Sequence, residues 1–457
     1  MNYKLQTLTL TVLFLTCAVV ASSQSLDPKL INGRWNLVLE TAQYRSEALA
    51  DLRVEADGNA RLVLLTPVDG EDGLFTGSVA GNKFLLKGQY DRVPAELDLT
   101  VAGDRVNGKM TGGNWSAEVQ GQHLSAASPE IPRKRYELLY DAVWNGVGRH
   151  YYDRGLNGVD VAAVRARYLP EIKAARNDGE LAVAVRRSLR ELHSSNTDFF
   201  LAAEKPATTF KTERVAWKPL ASDVAYLSLS NFTADDLRQF DQQLDRAMDE
   251  IVKYPSLVLD LRGNRGENLE AALAALNFLL PEGRSVAYFA TRQSLSQFKV
   301  TSIDQLTPSS LPVAYIDDRL GVSKFRGAGM YLAGGKYKWT YRGRIALLVD
   351  ESCAGSCELF AAAMKEARAA ALVGRRTRGA LLRTSSVYFN LFNFNLIKMN
   401  VFSGEVKSWR MNLPVMDIRT AGGLKIEGRG VTPDLAVEKE AGDKAMMDQA
   451  LSWLRKE

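Results

Sequence analysis

The sequence predicts a chain of three parts: a small antiparallel β domain, a helical segment and an α/β core. Residues 31–123 alternate apolar and polar side chains in short runs separated by Gly, Asp and Asn, which is typical of an antiparallel meander or a barrel-like sandwich. Helical spacing begins at residue 136. From residue 222, apolar strands alternate with amphipathic helices, the order expected of a parallel sheet with crossover connections.

Composition limits the function classes. A chain of 457 residues with 46% hydrophobic and 24% charged residues is long enough for two or three globular domains. The excess of five positive charges is small, and no basic run with interleaved aromatic residues indicates a nucleic-acid partner. The three histidines are scattered without ligand spacing, so the sequence predicts no metal site and no cofactor.

The first 24 residues have the features of an export signal. A single early lysine, Lys4, precedes an apolar stretch over about residues 8–20, and small residues follow at 21–23. The apolar stretch is shorter than the roughly 20 residues that a membrane-spanning helix needs. We therefore expect an exported protein, periplasmic or secreted, with no membrane span after cleavage; a lipid attachment at Cys17 is the minor alternative.

The remaining boundaries follow from changes in composition. We expect an antiparallel β domain at 25–125, a linker and helical lead-in at 126–201, an α/β core at 202–440 and a C-terminal helix at 441–457. The linker is the segment SAASPEIP. The β domain carries no catalytic constellation, and it is either a ligand or partner module or, as the sequence favours, a structural appendage.

Periodicity places the individual elements of the last two parts. Helices are expected in the lead-in and between the core strands, at 136–151, 159–168, 181–192, 235–254 and 269–280. Core strands are expected at 222–232 and 256–261, and residues 386–419 alternate like further strands. The second core strand leads directly into the glycine-rich loop RGNRGEN.

Residues 345–379 form a strand, turn, helix and strand unit. An apolar strand at 345–349 is followed by the polar turn DESCAGSC, an alanine-rich helix at 359–371 and a short strand that ends at Gly374. Such a unit presents small side chains and free N–H groups at the top of a sheet, where acyl-transfer nucleophiles and oxyanion donors are commonly built.

At LVLDLRGNRGEN, VDESCAGSCELFAAAMKEARAAALVGRRTRG and IEGRGVTPDLAVE, the chain resembles the tail-specific or C-terminal processing serine peptidases, including their tricorn-like and retinoid-binding-protein-like branches. The resemblance covers residues 133–438 in one consistent order, and linked motifs are more specific than any single one. It implies a ClpP/crotonase-like core and serine-type peptidase chemistry on peptides or proteins. The β domain lies outside it.

The resemblance places the nucleophile at a glycine. In the family, the catalytic serine stands three residues before an acidic residue that opens the helix. With Glu358 as that acid, the nucleophile position is Gly355, which has no side chain that can attack a carbonyl. The nearest following hydroxyl is Ser356, which one step along a helix turns by about 100° from the family position.

The resemblance also places the general base at two substituted positions. The branch with a Ser–Lys dyad has its lysine directly after the glycine that corresponds to Gly379, where this chain has Ala380. The tricorn-like branch takes its base from a D-x-H-T signature, and the matching stretch LHSSNT has Asn196 at the histidine position. An amide cannot accept the serine proton as imidazole does.

The glycine-rich loop corresponds to the family's oxyanion loop. Its residues Gly263 and Gly266 could offer backbone N–H groups, and Gly266 matches a family position for that role. Glu267 replaces the next glycine of the family pattern and adds a carboxylate where negative charge is unfavourable.

Three hypotheses follow. The first is an exported family member that is catalytically impaired or inactive and binds peptide, protein or a small apolar ligand in the former active cleft. The second is an active hydrolase that uses Ser356 with Lys365, Glu366 or His193 as base. The third is a redox-sensitive binding module, because Cys353 and Cys357 could close a disulfide across the turn; two small packing residues are the equal alternative.

Overall fold

The computed structural model describes residues 31–41, 44–65, 73–90, 93–112, 115–124, 135–175, 178–201, 208–210, 214–232, 237–266, 268–314, 327–332, 340–390, 396–397 and 408–455. The predicted export signal, the predicted linker and Glu267 lie outside these residues. No helix within the described ranges is long and apolar enough to cross a membrane.

The N-terminal part is a closed antiparallel barrel of eight strands. Each strand pairs with the next, and the first strand pairs with both the last and the second, so the sheet closes on itself. The strands are β1 (Gly33–Glu40), β2 (Tyr44–Val54), β3 (Asn59–Leu65), β4 (Gly73–Ala80), β5 (Lys83–Tyr90), β6 (Val93–Ala102), β7 (Arg105–Gly112) and β8 (Trp115–Leu124). The predicted antiparallel β domain is therefore confirmed.

Apolar side chains fill the interior of this barrel. The inward positions form one buried cluster that includes Trp35, Phe75 and Phe84, none more than 1% exposed. An eight-stranded barrel is just wide enough for its side chains to fill. The alternation seen in the sequence thus reflects a packed core within the barrel.

Three helices of the lead-in pack against part of a second sheet. The helices are α1 (Tyr136–His150), α2 (Val161–Ala174) and α3 (Asp178–Arg190). Their buried face contacts Phe199, whose ring stacks on that of Trp409 with 4.8 Å between centroids. Helix α2 begins after Asp160, whose carboxylate accepts the Ala163 N–H at 3.0 Å.

The α/β core has a six-stranded sheet that is parallel except at one edge. Its order is β11 (Val215–Pro219), β12 (Val224–Leu229), β13 (Ser256–Asp260), β17 (Arg344–Val349), β18 (Ala371–Gly374) and β22 (Leu435–Ala436). Only β11 runs antiparallel to its neighbour. The predicted α/β arrangement with parallel strands is thus observed.

Helices cover both faces of this sheet. The apolar faces of α4 (Leu237–Ile251), α5 (Leu269–Asn277) and α7 (Ser356–Glu366) join the cluster that contains Leu257 and Leu259. Helix α8 (Gly442–Leu454) packs on the other face, against Val258. Strand β13 is buried on both faces, which explains its unbroken apolar sequence.

The second sheet has seven strands, of which one comes from the end of the lead-in and six come from the core. Its members are β9 (Asp198–Leu201), β14 (Ser285–Thr291), β15 (Val313–Ala314), β16 (Ala328–Leu332), β19 (Arg383–Asn390), β20 (Leu396–Ile397) and β21 (Ser408–Thr420). The short helix α6 (Arg292–Gln297) follows β14. Strand β21 pairs with β9, β14 and β19, and it therefore connects the lead-in to the core.

Among the described residues, a strand pairing and an ion pair attach the barrel to the rest of the chain. Strand β10 (Thr208–Phe210), which follows β9, pairs antiparallel with the start of β2. Arg53 of β2 contacts Glu180 of α3. The barrel is thus bonded to the helical lead-in and to the segment that precedes β11.

Candidate functional site

The turn between β17 and α7 requires glycine at position 355. Gly355 has φ 55° and ψ −123°, close to the first central position of a type II′ turn, which glycine dominates. A Cβ atom built on it would lie 2.8 Å from the carbonyl oxygen of Gly266. Both the backbone conformation and the packing therefore favour the absence of a side chain at the expected nucleophile position.

The structure brings together the three positions that the resemblance predicts to be substituted catalytic positions. The Gly355 N–H donates to the Ala380 carbonyl oxygen at 3.1 Å. The Asn196 side-chain amide donates to the Leu382 carbonyl oxygen at 2.8 Å, two residues further along the same segment. None of these positions supplies a nucleophile or a base.

The Ser356 hydroxyl is bonded to the backbone of another element. Its Oγ donates to the carbonyl oxygen of Asn268 at 2.9 Å, and the residue is only 5% exposed. Asn268 is the N-cap of α5. The bond therefore connects the starts of α7 and α5. No basic side chain within the described residues is hydrogen bonded to this hydroxyl.

The alternative bases lie elsewhere. Lys365 and Glu366 stand at the opposite end of α7 from Ser356. Lys365 Nζ donates to the Thr432 carbonyl oxygen at 2.7 Å, and Glu366 accepts the Gly422 N–H at 3.0 Å. His193 is exposed, with φ 48°, in the loop after α3. The hydrogen bonds given for Lys365 and Glu366 do not involve Ser356, and His193 is exposed in a separate loop.

The N–H groups expected to bind an oxyanion are used within the protein. The Gly266 N–H donates to Asn264 Oδ1 at 2.9 Å, and the Ser356 N–H donates to the Gly266 carbonyl oxygen at 3.0 Å. The Gly263 N–H donates to the Asp350 carboxylate at 3.1 Å. The Gly266 carbonyl oxygen thus accepts the Ser356 N–H at the start of α7, which is the donor that a ligand oxygen would otherwise bind.

Close packing explains this arrangement. Gly266 has φ 61°, and a Cβ atom there would lie 2.0 Å from the Ala354 carbonyl oxygen and 2.7 Å from the Ser356 nitrogen. Only glycine allows the loop to lie directly on the turn.

A disulfide spans the same turn. It joins Cys353 to Cys357, with 5.5 Å between their Cα atoms, and both residues are fully buried. Gly355 lies midway between them. The bond therefore links the turn to the first residues of α7.

Two buried glutamates, Glu358 and Glu427, hold the segment that carries Ala380. In the sequence, Glu358 serves only to align the helix start with the family. Glu358 Oε1 accepts the Gly379 N–H and Oε2 accepts the Ala380 N–H, both at 2.6 Å, and Thr377 Oγ1 donates to the same carboxylate. The residue has no exposed surface. Burial, aided by the charge of Glu427 and opposed by these hydrogen bonds, raises the pKa of Glu358 to about 7.

Glu427 is the second buried carboxylate and was missed. It accepts the Leu381 N–H at 2.9 Å and both the N–H and the hydroxyl of Ser195, at 2.7 and 2.8 Å. Burial raises its pKa, while these hydrogen bonds act in the opposite direction. The one signal in the sequence is an acidic residue that directly follows an apolar one before the turn glycines.

The raised pKa of Glu358 predicts a loss of stability as pH rises. The folded chain binds the proton more tightly than the unfolded chain, whose glutamate has a pKa of 4.5. The stabilisation is therefore complete below about pH 4.5 and is lost as pH rises through about 7, by about 3 kcal/mol at most. Urea unfolding should give a lower free energy of unfolding at pH 8 than at pH 5 in the wild type, and the decrease should be smaller in Glu358→Gln. Equal decreases in the two proteins would assign the effect to other buried acids.

Within the described residues, no group of three or more His, Cys, Asp or Glu side chains is arranged to hold a metal ion.

Comparisons with known proteins agree with this architecture. Residues 223–437 match the family model of peptidase family S41, and residues 132–185 match the model of the tricorn protease C1 domain. No curated protein matches the chain significantly.

Two solved structures are similar to this chain. One, described as a candidate peptidase from Parabacteroides merdae, is 15% identical over 70% of this chain and 97% of its own, with a TM-score of 0.50. The photosystem II D1 C-terminal processing protease is 16% identical over 67% of this chain and 94% of its own, with a TM-score of 0.43. At 15% identity, the likeness to the Parabacteroides merdae structure concerns the fold alone.

Proposed function

We propose that the chain, which matches peptidase family S41 over residues 223–437, is an exported member of that family that binds peptide in the former active-site cleft without cutting it. The observation that carries this proposal is Gly355 at the nucleophile position, in a conformation that favours glycine. Without a nucleophile, the covalent step of serine peptidase chemistry has no starting atom.

The surrounding residues support the same proposal. Ala380 and Asn196 offer no general base, and Ser356 donates its hydroxyl proton to a backbone carbonyl. The predicted oxyanion donors, the N–H groups of Gly263 and Gly266, donate to Asp350 and Asn264 within the protein. In triad enzymes that lose their catalytic residues, oxyanion geometry and binding still give about 10³–10⁴-fold acceleration over water, and this loop arrangement opposes even that contribution.

The fold supports a ClpP/crotonase-like assignment for the core. A parallel sheet with helices on both faces delivers the turn before α7 to the carboxyl ends of its strands. Ligands of such sheets bind at that edge. We propose the limits 25–125 for the barrel domain, 126–201 for the linker and lead-in, 202–440 for the core and 441–457 for the terminal helix.

The barrel fits the proposal as a structural module. Its described interior is filled by side chains, and β10 and Arg53 attach it to the remainder of the chain. We therefore assign ligand binding to the cleft of the core.

A fluorophosphonate probe tests the absence of an activated serine. We expect no covalent adduct on the purified full chain, because the Ser356 hydroxyl bonds a backbone carbonyl, has no basic partner among the described residues and is nearly buried. Intact-mass measurement reports the adduct, and Ser356→Ala and Ser352→Ala are the matched variants. An adduct that forms on the wild type and on Ser352→Ala but not on Ser356→Ala would establish the competing function, an active hydrolase.

A further inference from the structure

Arginines lie on three loops that meet at the turn around Gly355. We call the set Arg265, Arg376, Arg378 and Arg429 the arginine rim. Arg265 lies in the loop after β13, the next two follow β18, and Arg429 lies in the turn before β22.

Backbone contacts show that these loops converge. The Arg378 N–H donates to the Cys353 carbonyl oxygen at 2.9 Å. The Gly428 N–H donates to the Gly379 carbonyl oxygen at 2.8 Å, which places Arg429 beside the segment that contacts Gly355. The carbonyl oxygen of Arg265 lies 3.7 Å from the position of a Cβ atom on Gly355. All three loops thus contribute arginine next to the former nucleophile position.

The rim arginines differ in their exposure. Arg376 and Arg429 are exposed, and Arg265 and Arg378 are half-buried. In the part of the chain that the structure describes, neither Arg376 nor Arg429 makes an ion pair. Two guanidinium groups are therefore available to solvent at this edge of the core.

Four described acidic residues of the same region have partners within the protein. Asp260 pairs with Arg262 at 2.6 Å, and Glu351 pairs with Arg375 at 2.5 Å and with Lys439 at 3.0 Å. Glu358 and Glu427 are buried and accept backbone N–H groups. These described carboxylates are thus paired with cations or with backbone N–H groups, whereas the guanidinium groups of Arg376 and Arg429 are exposed.

We propose that the arginine rim makes the cleft selective for acidic peptides, with Arg376 and Arg429 as the residues that determine this selectivity. This inference rests on the proposed function, since it names the class of ligand for the same cleft. A guanidinium group matches a carboxylate with two parallel hydrogen bonds. Charges at the rim of a binding site also speed association and make affinity dependent on salt.

The test compares two labelled decapeptides of equal length, one alternating Ala and Glu and the other alternating Ala and Gln. Fluorescence anisotropy with the full chain at low salt should give about tenfold tighter binding of the Glu peptide. Arg376→Glu/Arg429→Glu should abolish that preference. Arg105→Glu/Lys109→Glu, which makes the same charge change at exposed positions of β7, should leave it unchanged.

The outcomes separate this inference from the proposed function. Equal affinity for the two peptides, or an equal loss in the β7 variant, would overturn the selectivity of the rim and leave peptide binding in place. If neither peptide binds, both the selectivity of the rim and the proposed binding of peptide are overturned. Selective binding that is lost only in the rim variant supports both.

Discussion

Replacing Gly355 by serine is expected to lower the free energy of unfolding by about 2 kcal/mol, because a side chain is strained in this conformation. The new Cβ atom would also lie 2.8 Å from the Gly266 carbonyl oxygen, so the loop would have to shift. Peptidase activity should not appear, because Ala380 and Asn196 still provide no base. Urea unfolding and a peptide cleavage assay measure the two effects.

Two variants separate the causes of this loss. Gly355→Ala should be destabilised as much as Gly355→Ser, because the strain comes from the Cβ atom. Gly263→Ala should lose less, since Gly263 has φ 76° but no atom within 4 Å of its Cβ position. Cleavage by Gly355→Ser that Gly355→Ala does not show would contradict the conclusion that the base positions are empty.

Replacing Glu358 by alanine is expected to have the largest effect on stability, a loss of about 3 kcal/mol or more at pH 7, because the substitution leaves three buried donors without an acceptor. These donors are the Thr377 hydroxyl and the N–H groups of Gly379 and Ala380. Hydrogen exchange should also increase at the last two amides, since each loses its acceptor. Chemical unfolding and residue-resolved exchange measure the two quantities.

Glu366→Ala is the matched control on the same helix. Its carboxylate accepts the Gly422 N–H and the Thr420 hydroxyl near the surface, where water can replace it. We expect a loss of about 1 kcal/mol. Equal losses in the two variants, or unchanged exchange at Gly379 in Glu358→Ala, would show that Glu358 does not hold this segment.

Local patterns in the sequence predicted most of the architecture. Period-two alternation predicted the antiparallel barrel domain, and alternating strands and helices predicted the parallel sheet. Boundaries were less accurate. Helix α7 begins at Ser356 rather than at residue 359, because the Gly355 carbonyl oxygen accepts the N–H groups of Glu358 and Leu359 and starts the helix one turn earlier.

Contacts between distant residues could not be predicted in the same way. Ser195 and Glu427 are 232 residues apart in the chain and share two hydrogen bonds. Closure of the barrel depends on β1 pairing with both β2 and β8, which periodicity within a strand does not specify. The bond from Ser356 N–H to the Gly266 carbonyl oxygen likewise depends on how two separate turns pack.

The claim of binding without cleavage is tested most directly in one sample. The Glu-containing decapeptide is titrated into the full chain by calorimetry, incubated for a day and then recovered for mass spectrometry. We predict saturable binding with stoichiometric recovery of the intact peptide. Cleaved peptide that accumulates with time in the wild type and is absent from Ser356→Ala would contradict the account.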